Sequence, residues 1–144
     1  MKKAIQDYDS VDDLKRLMVN AKRLGNEDFY NQAFKRRCEL EGIDHDDPLH
    51  RDFYEVLAAY EQLLEEKHGR KQPAGYTRRK LKEKGVEQCL IDWALDDKET
   101  DGFQTLLERG MLELTGEYVV TKYPSRFDPT VLAAAEARLE RYRV

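Results

Sequence analysis

Residues 47–69, DPLHRDFYEVLAAYEQLLEEKHG, form the longest regular pattern in the sequence and decide the fold class. Asp47 is suited to cap a helix, and Pro48 to occupy its first position, where the missing N–H costs nothing. Apolar side chains then recur every three or four residues on one helical face: Leu49, Phe53, Val56, Leu57, Tyr60, Leu63 and Leu64. Since Gly69 ends the pattern, the sequence predicts one long helix at the centre of the protein.

Two shorter helical patterns precede this helix, and each has its own start and stop signals. Ser10 and Asn26 are typical N-cap residues, and acids follow both of them at the positive end of the helix dipole. Gly25 and Gly42 end the two patterns. Because only Gly25 and Asn26 separate the helices, we expect an antiparallel helical hairpin. The apolar faces expected to meet are Val11, Leu14, Leu17, Met18, Ala21 and Leu24 on the first helix, and Phe29, Ala33, Phe34 and Cys38 on the second.

Downstream of Gly69 the patterns are shorter. A polar loop containing Pro73 and Gly75 comes first. Short helices are then predicted at 77–84, 86 to about 95, 102–109, about 112–123 and from Pro129 onward. Residues 117–123, EYVVTKY, are rich in strand-forming side chains, but a lone strand without a partner is not viable, so a helix is predicted there.

Taken together, these patterns predict an all-α fold, a compact array of about seven to eight helices. A chain of 144 residues fits a single domain, 1–144. A subdivision is possible, with the hairpin and long helix in 1–69, a linker at 70–75 and the short-helix array in 76–144.

Composition narrows the class of protein further. Charged residues make up 38% of the chain, and its net charge is -4. No apolar run is long enough to span a membrane, and the start of the chain lacks the apolar core of a signal peptide, so a cytoplasmic protein is expected. Cys38 and Cys89 are expected to be buried free thiols. With no cysteine or histidine pairs at zinc-ligand spacing, no cofactor is expected.

The positive charge is concentrated in one place, residues 67–84, KHGRKQPAGYTRRKLKEK. Eight lysines and arginines against one acid give this stretch +7, so the other 126 residues must sum to -11 for the chain to reach -4. Such a separation of charge is an argument about binding partners rather than about fold.

The leading hypothesis is a small nucleic-acid-associated protein that contacts the phosphate backbone with little sequence specificity. Lysine and arginine neutralise phosphates, Thr77 stands at a helix start that attracts anions, and Tyr76 offers a ring for base stacking. Two short helices around Gly85 have the outline of a helix-turn-helix, but the second is too apolar and acidic to read bases. The predicted nucleic-acid-binding residues are Lys67, Arg70, Lys71, Tyr76, Thr77, Arg78, Arg79, Lys80, Lys82 and Lys84.

Three alternatives remain open. The basic residues could form a solvated face that pairs with neighbouring acids such as Glu61 and Asp92. The protein could be a protein–protein module, either an adaptor or an inhibitor such as an acidic phage-type inhibitor of host defence, whose basic segment docks on an acidic partner. A metal-dependent enzyme could use acids of 44–52 or 92–101, but no catalytic or metal-binding motif supports one, so an enzyme is the less favoured interpretation. The oligomeric state is left open.

Overall fold

The computed structural model describes residues 3–142, and over these residues the chain is helical with no strand. The eight α-helices are α1 (Val11–Arg23), α2 (Glu27–Gly42), α3 (Pro48–His68), α4 (Gly75–Lys84), α5 (Val86–Leu95), α6 (Asp101–Glu108), α7 (Gly116–Lys122) and α8 (Pro129–Tyr142). Three short 3₁₀ helices accompany them, at Ile5–Asp7, Leu112–Leu114 and Pro124–Arg126. The predicted all-α fold is therefore confirmed, including the helix across 117–122.

Side-chain caps set most of the helix starts. The Ser10 hydroxyl accepts from Asp13 N at 3.3 Å, and the Asn26 side chain accepts from Phe29 N at 3.1 Å. Asp47 Oδ1 accepts from Leu49 N at 2.9 Å, as expected for the start of α3. Each of these bonds satisfies an amide that the helix itself leaves without an acceptor.

The chain divides into two compact units, one ending at Ala59 and the other beginning at Tyr60. The division falls within α3, whereas the loop at 70–75 lies inside the second unit. The number of independent domains stays a prediction.

In the first unit, α1 packs against α2. The buried apolar side chains of this unit are Leu14, Met18, Ala21, Tyr30, Ala33, Phe34, Cys38, Leu49, Phe53, Val56, Leu57, Ala58 and Ala59. Leu24 was expected on the buried face of α1, but it is 75% exposed, because it follows the last helical residue as the C-cap and leaves the face that Leu14 and Met18 share. A Cβ on Gly42 would collide with the Arg51 carbonyl oxygen, so the end of α2 approaches the backbone of α3 directly.

In the second unit, α5 contacts α4, α7 and α8, and α7 also packs on α8. The buried apolar side chains of this unit are Val86, Cys89, Leu90, Ala94, Phe103, Leu106, Met111, Leu114, Val119, Val120, Phe127, Val131, Ala135 and Leu139. Both cysteines are free and buried, as predicted. Among the described residues, no helix combines the length and apolar character needed to cross a bilayer.

Candidate nucleic-acid interface

Helix α4 carries most of the predicted binding residues, and it lies on the surface of the second unit. None of its residues is buried, and α5 is the helix that it contacts most. Its N-cap, Ala74, has no capping side chain. Gly85 adopts φ +92° and ends the helix, a backbone conformation that other residues rarely take. Helix α4 therefore presents a polar surface on a short, defined element.

The start of α4 is held by a carboxylate of the same chain. Glu61 Oε2 accepts from Ala74 N at 2.8 Å, and the Arg78 guanidinium donates to both Glu61 oxygens at 2.6 Å. This is a bidentate pair, the strongest geometry for an arginine and a carboxylate. The helix begins at Gly75 rather than at Thr77, where the sequence suggested its start, and Glu61 lies at its N-terminal end, where a phosphate was expected. Thr77 is half-buried, and its carbonyl oxygen accepts from the Cys89 thiol at 3.9 Å.

Lys80 is also engaged within the chain. Its ammonium lies 2.7 Å from Asp92 Oδ2, and Gln88 donates to the other oxygen of the same carboxylate at 2.8 Å. The hydrogen bond from Lys80 is the main cause that lowers the pKa of Asp92, and the same bond raises the pKa of Lys80. The Lys80 ammonium further lies 4.8 Å from the centre of the Tyr76 ring. Lys80 thus ties α4 to α5.

Lys67 has a weaker partner. Its ammonium is 4.0 Å from Asp101 Oδ2, and both side chains are largely exposed. A solvent-exposed pair at this distance contributes little, about 0–1 kcal/mol. Three of the eight basic residues of 67–84 are therefore paired with acids of the same chain. For these three residues the structure agrees with the alternative interpretation, in which the basic side chains pair with neighbouring acids.

The other five basic side chains are exposed and have no ion pair with the described residues: Arg70, Lys71, Arg79, Lys82 and Lys84. Arg70 and Lys71 lie in the loop before α4, and the rest lie on the helix. Lys84 is close enough to Asp92 to add to the lowering of its pKa, after the larger effect of Lys80. We call these five residues the free basic set.

Helical geometry places part of this set on one face. Tyr76, Arg79 and Lys82 follow one another at three-residue intervals, so each neighbours the next on the surface of α4, in a row that turns by about 120° around the helix axis from Tyr76 to Lys82. We call this row the exposed stripe of α4. All three are exposed, and Tyr76 is 69% exposed. Glu83 is exposed beside them and has no ion pair with the described residues, so this stripe includes one acid.

The acidic stretch 44–52 runs from the loop before α3 into its first turn, and several of its polar groups have structural roles. The His45 ring stacks on Tyr54 with 3.9 Å between ring centres. Arg51 donates to the carbonyl oxygens of His45 and Asp46, at 2.6 and 3.1 Å. With Asp47 capping α3, the loop is held by its own hydrogen bonds.

The acids of 92–101 do not converge either. Asp92 binds Lys80, whereas Asp96 Oδ1 accepts from Lys98 N at 3.1 Å. Asp101 faces solvent, with a side chain that is 99% exposed. Over residues 3–142, no three histidine, cysteine or acidic side chains are grouped closely enough to hold a metal ion.

A buried polar cluster in the second unit was missed from the sequence. Arg138 donates to Glu117 Oε2 at 2.8 Å, to the Trp93 carbonyl oxygen at 2.8 Å and to the Asp96 carbonyl oxygen. Glu117 is 3% exposed, and its other oxygen, Oε1, has no hydrogen-bond partner. Burial is the main cause that raises the pKa of Glu117, although Arg138 opposes the shift.

One signal in the sequence pointed to this cluster. Ala135 and Arg138 come four and seven positions after Val131 in the helical repeat, so Arg138 falls on the buried face of α8. A charged residue on a buried face is unusual. A buried arginine needs a carboxylate partner, and Glu117 supplies it from the first turn of α7, where an acid is common and gives no signal of its burial. Because the arginine also binds two carbonyl oxygens, the cluster joins α8 to α7 and to the end of α5. Apart from Glu117 Oε1, the cluster is engaged in these contacts between helices, so it holds the second unit together.

No protein-family model, curated protein or solved structure matches this chain.

Proposed function

We propose that this protein binds nucleic acid through the phosphate backbone, using the loop before α4 and the exposed face of α4. The observation that carries the proposal is the free basic set: five exposed cations within fifteen consecutive residues, Arg70 to Lys84, none paired with a described acid. A cluster of solvent-exposed cations attracts a polyanion, and binding releases the counterions that surround the phosphates.

The proposed site is smaller than the segment suggested by the sequence. Arg78 and Lys80 are committed to Glu61 and Asp92, so they support α4 and do not serve as contacts. The contacts proposed are Arg70, Lys71, Arg79, Lys82 and Lys84. Phosphate contacts position a protein without reading bases, so little sequence specificity is expected.

Charge reversal tests the proposal. Arg79→Glu with Lys82→Glu changes two exposed cations and breaks no ion pair seen among the described residues, so helicity should be retained while binding to a labelled oligonucleotide is lost. The matched control is Arg23→Glu with Lys98→Glu, two exposed cations outside the segment. Both double variants change the net charge by the same four units, from -4 to -8, so a general charge effect would weaken both equally.

A protein partner is the other outcome of the experiment. If the Arg79 and Lys82 variant binds oligonucleotides as well as the wild type does, the proposal is wrong. If a partner recovered with the wild type survives nuclease treatment and is lost with this variant, the basic face docks on an acidic protein instead.

A further inference from the structure

We infer that the exposed stripe of α4 binds single-stranded nucleic acid, with a base stacked on Tyr76 and phosphates on Arg79 and Lys82. This inference rests on the proposed function, because it specifies which form of nucleic acid the same face takes. Three observations support it: the contact of Lys80 with the Tyr76 ring, the two exposed cations Arg79 and Lys82, and the order of these residues along α4.

The Tyr76 ring is exposed but not loose. Lys80 places its ammonium 4.8 Å from the ring centre, and that ammonium is in turn fixed by Asp92 at 2.7 Å. A single exposed aromatic residue is ordinary on a protein surface. Here, however, a chain of contacts from α5 through Lys80 orients the ring. An aromatic ring that is already oriented loses less freedom when a base stacks on it.

The ring also has room for a base. Tyr76 is 69% exposed, so the cation on one side leaves most of the ring surface in contact with solvent. A nucleobase stacked on the open face would be in contact with a ring that carries a cation on its other face. Base stacking on aromatic side chains tolerates any sequence, because every base has a flat face to offer.

The phosphate contacts follow along the same helix. Arg79 and Lys82 come three and six residues after Tyr76, which corresponds to about 4.5 and 9 Å along the helix axis. Neither has an ion pair with the described residues, so neither needs to be released before a ligand binds. Ring, cation and cation thus follow one another along the helix, and in this order we propose that one strand contacts them.

This arrangement distinguishes a single strand from a duplex. In a duplex the bases are stacked within the helix, so only the cations would be used and Tyr76 would gain nothing. In a single strand an unstacked base can reach the ring. The cations bind either form, and the ring adds affinity for the single strand alone.

Tyr76→Ala and Tyr76→Phe test the role of the ring. Fluorescence anisotropy would measure the Kd of each variant for a labelled pyrimidine DNA strand, its RNA counterpart and the matching duplex. We expect Tyr76→Ala to weaken single-strand binding by about five- to 150-fold, the range typical of one base–aromatic stack. Tyr76→Phe keeps the ring but loses the hydroxyl that Lys80 also contacts, so it should retain most of the single-strand affinity that Tyr76→Ala loses. Duplex affinity should not change in either variant.

Tyr8→Ala is the matched control. The Tyr8 ring also has a lysine ammonium, that of Lys3, 4.8 Å from its centre, but it belongs to the first unit and lies outside the basic segment. Its removal should leave single-strand binding unchanged. Circular dichroism would establish that each variant keeps its helicity.

Photocrosslinking adds a direct readout. A strand carrying 5-iodouracil should crosslink to the peptide that contains Tyr76, and the crosslink should be lost in Tyr76→Ala.

The outcomes separate the two proposals. If single strand and duplex bind equally, and Tyr76→Ala affects neither, the stacking inference is overturned while phosphate binding stands. If nothing binds even at low salt, both are overturned.

Discussion

At the scale of single residues, the tightest constraint in the second unit is at Gly116. A Cβ at this position would lie 2.5 Å from Trp93 Cε3 and 3.4 Å from Leu90 Cδ2. The first distance is well inside van der Waals contact, and it meets a half-buried tryptophan ring that packs edge-on against Tyr60. The ring has little freedom to withdraw.

We therefore predict that Gly116→Ala destabilises the protein. Overpacking of this kind typically costs about 1–3 kcal/mol, which outweighs the gain of about 0.5–1 kcal/mol expected when alanine replaces glycine in a helix. Urea unfolding followed by circular dichroism would measure the change. Gly75→Ala is the matched control, since it too begins a helix but a Cβ there meets nothing within 4 Å. An equal response in both variants would contradict the packing argument.

The buried pair of Glu117 and Arg138 gives a second prediction. Arg138→Met should lower the free energy of unfolding by about 3–5 kcal/mol near neutral pH, because a buried carboxylate is left without its cation. Burial already raises the pKa of Glu117, and replacing Arg138 removes the hydrogen bond and the positive charge with which that residue opposes the shift. In the variant the pKa should therefore rise further.

The sign of the pH dependence follows from this shift. A carboxyl whose pKa is higher in the folded state than in the unfolded state holds its proton more tightly when folded, so its contribution to stability falls as pH rises. The difference in the free energy of unfolding between the wild type and Arg138→Met should thus be largest at neutral pH and become smaller toward acidic pH. Urea unfolding at several pH values would show it. Adding Glu117→Gln to the variant should remove most of this pH dependence, and the remainder should come from Glu99, whose pKa is lowered by the hydrogen bond from Tyr142 and further by the charge of Arg138. If the loss of stability is the same at every pH with Glu117 present, the assignment fails.

At the scale of elements, α4 depends on a carboxylate supplied by α3. Glu61 accepts from the backbone of Ala74 and from Arg78, and α4 has neither a capping side chain nor a buried residue of its own. A short helix of this kind is marginal without such support. Glu61 therefore decides whether the first turn of α4 is formed.

Glu61→Ala should accordingly loosen the start of α4. The loss is expected to be at most about 2 kcal/mol, the upper end for a helix cap, since Arg78 is partly in contact with solvent. Amide hydrogen exchange should become faster in the first turn of α4 and remain slow in α5. Glu83→Ala, an acid on the same helix without an ion pair among the described residues, should leave these rates unchanged. Unaltered exchange in Glu61→Ala would show that the carboxylate does not hold the helix.

The helices were predictable from the sequence because their signals are local. Ser10, Asn26 and Asp47 each cap a helix through a bond spanning two or three residues. Thr100 and Thr115 cap α6 and α7 in the same way, although their sequence context did not single them out. Leu24 shows the limit of periodicity, because a repeat cannot tell the last helical residue from the exposed cap that follows it.

The candidate site was predictable only in part, because ion pairs join residues distant in sequence. The charge of 67–84 can be counted from the sequence, but the partners of Arg78 and Lys80 are 17 and 12 positions away. The pair between Glu117 and Arg138 spans 21 residues. Periodicity marks Arg138 as a charge on a buried face, but only the packing of α7 on α8 shows that it meets Glu117.

At the scale of the whole molecule, the charges are separated rather than balanced. The chain carries -4 in total, yet the free basic set lies within a segment of +7. The acids of the remaining chain repel a polyanion, so binding should depend on local attraction at α4 and should weaken steeply as salt screens it.

The most direct test of the central claim is a salt titration of binding to labelled single-stranded DNA. If the free basic set makes the contacts, the logarithm of affinity should fall linearly with the logarithm of salt concentration, with a slope of up to about -3.5 for five phosphates. The Arg79→Glu and Lys82→Glu variant should lose binding across the series, whereas the Arg23→Glu and Lys98→Glu variant should retain the wild-type slope. No binding at the lowest salt, or an affinity equally reduced in both variants, would show that the free basic set does not bind nucleic acid.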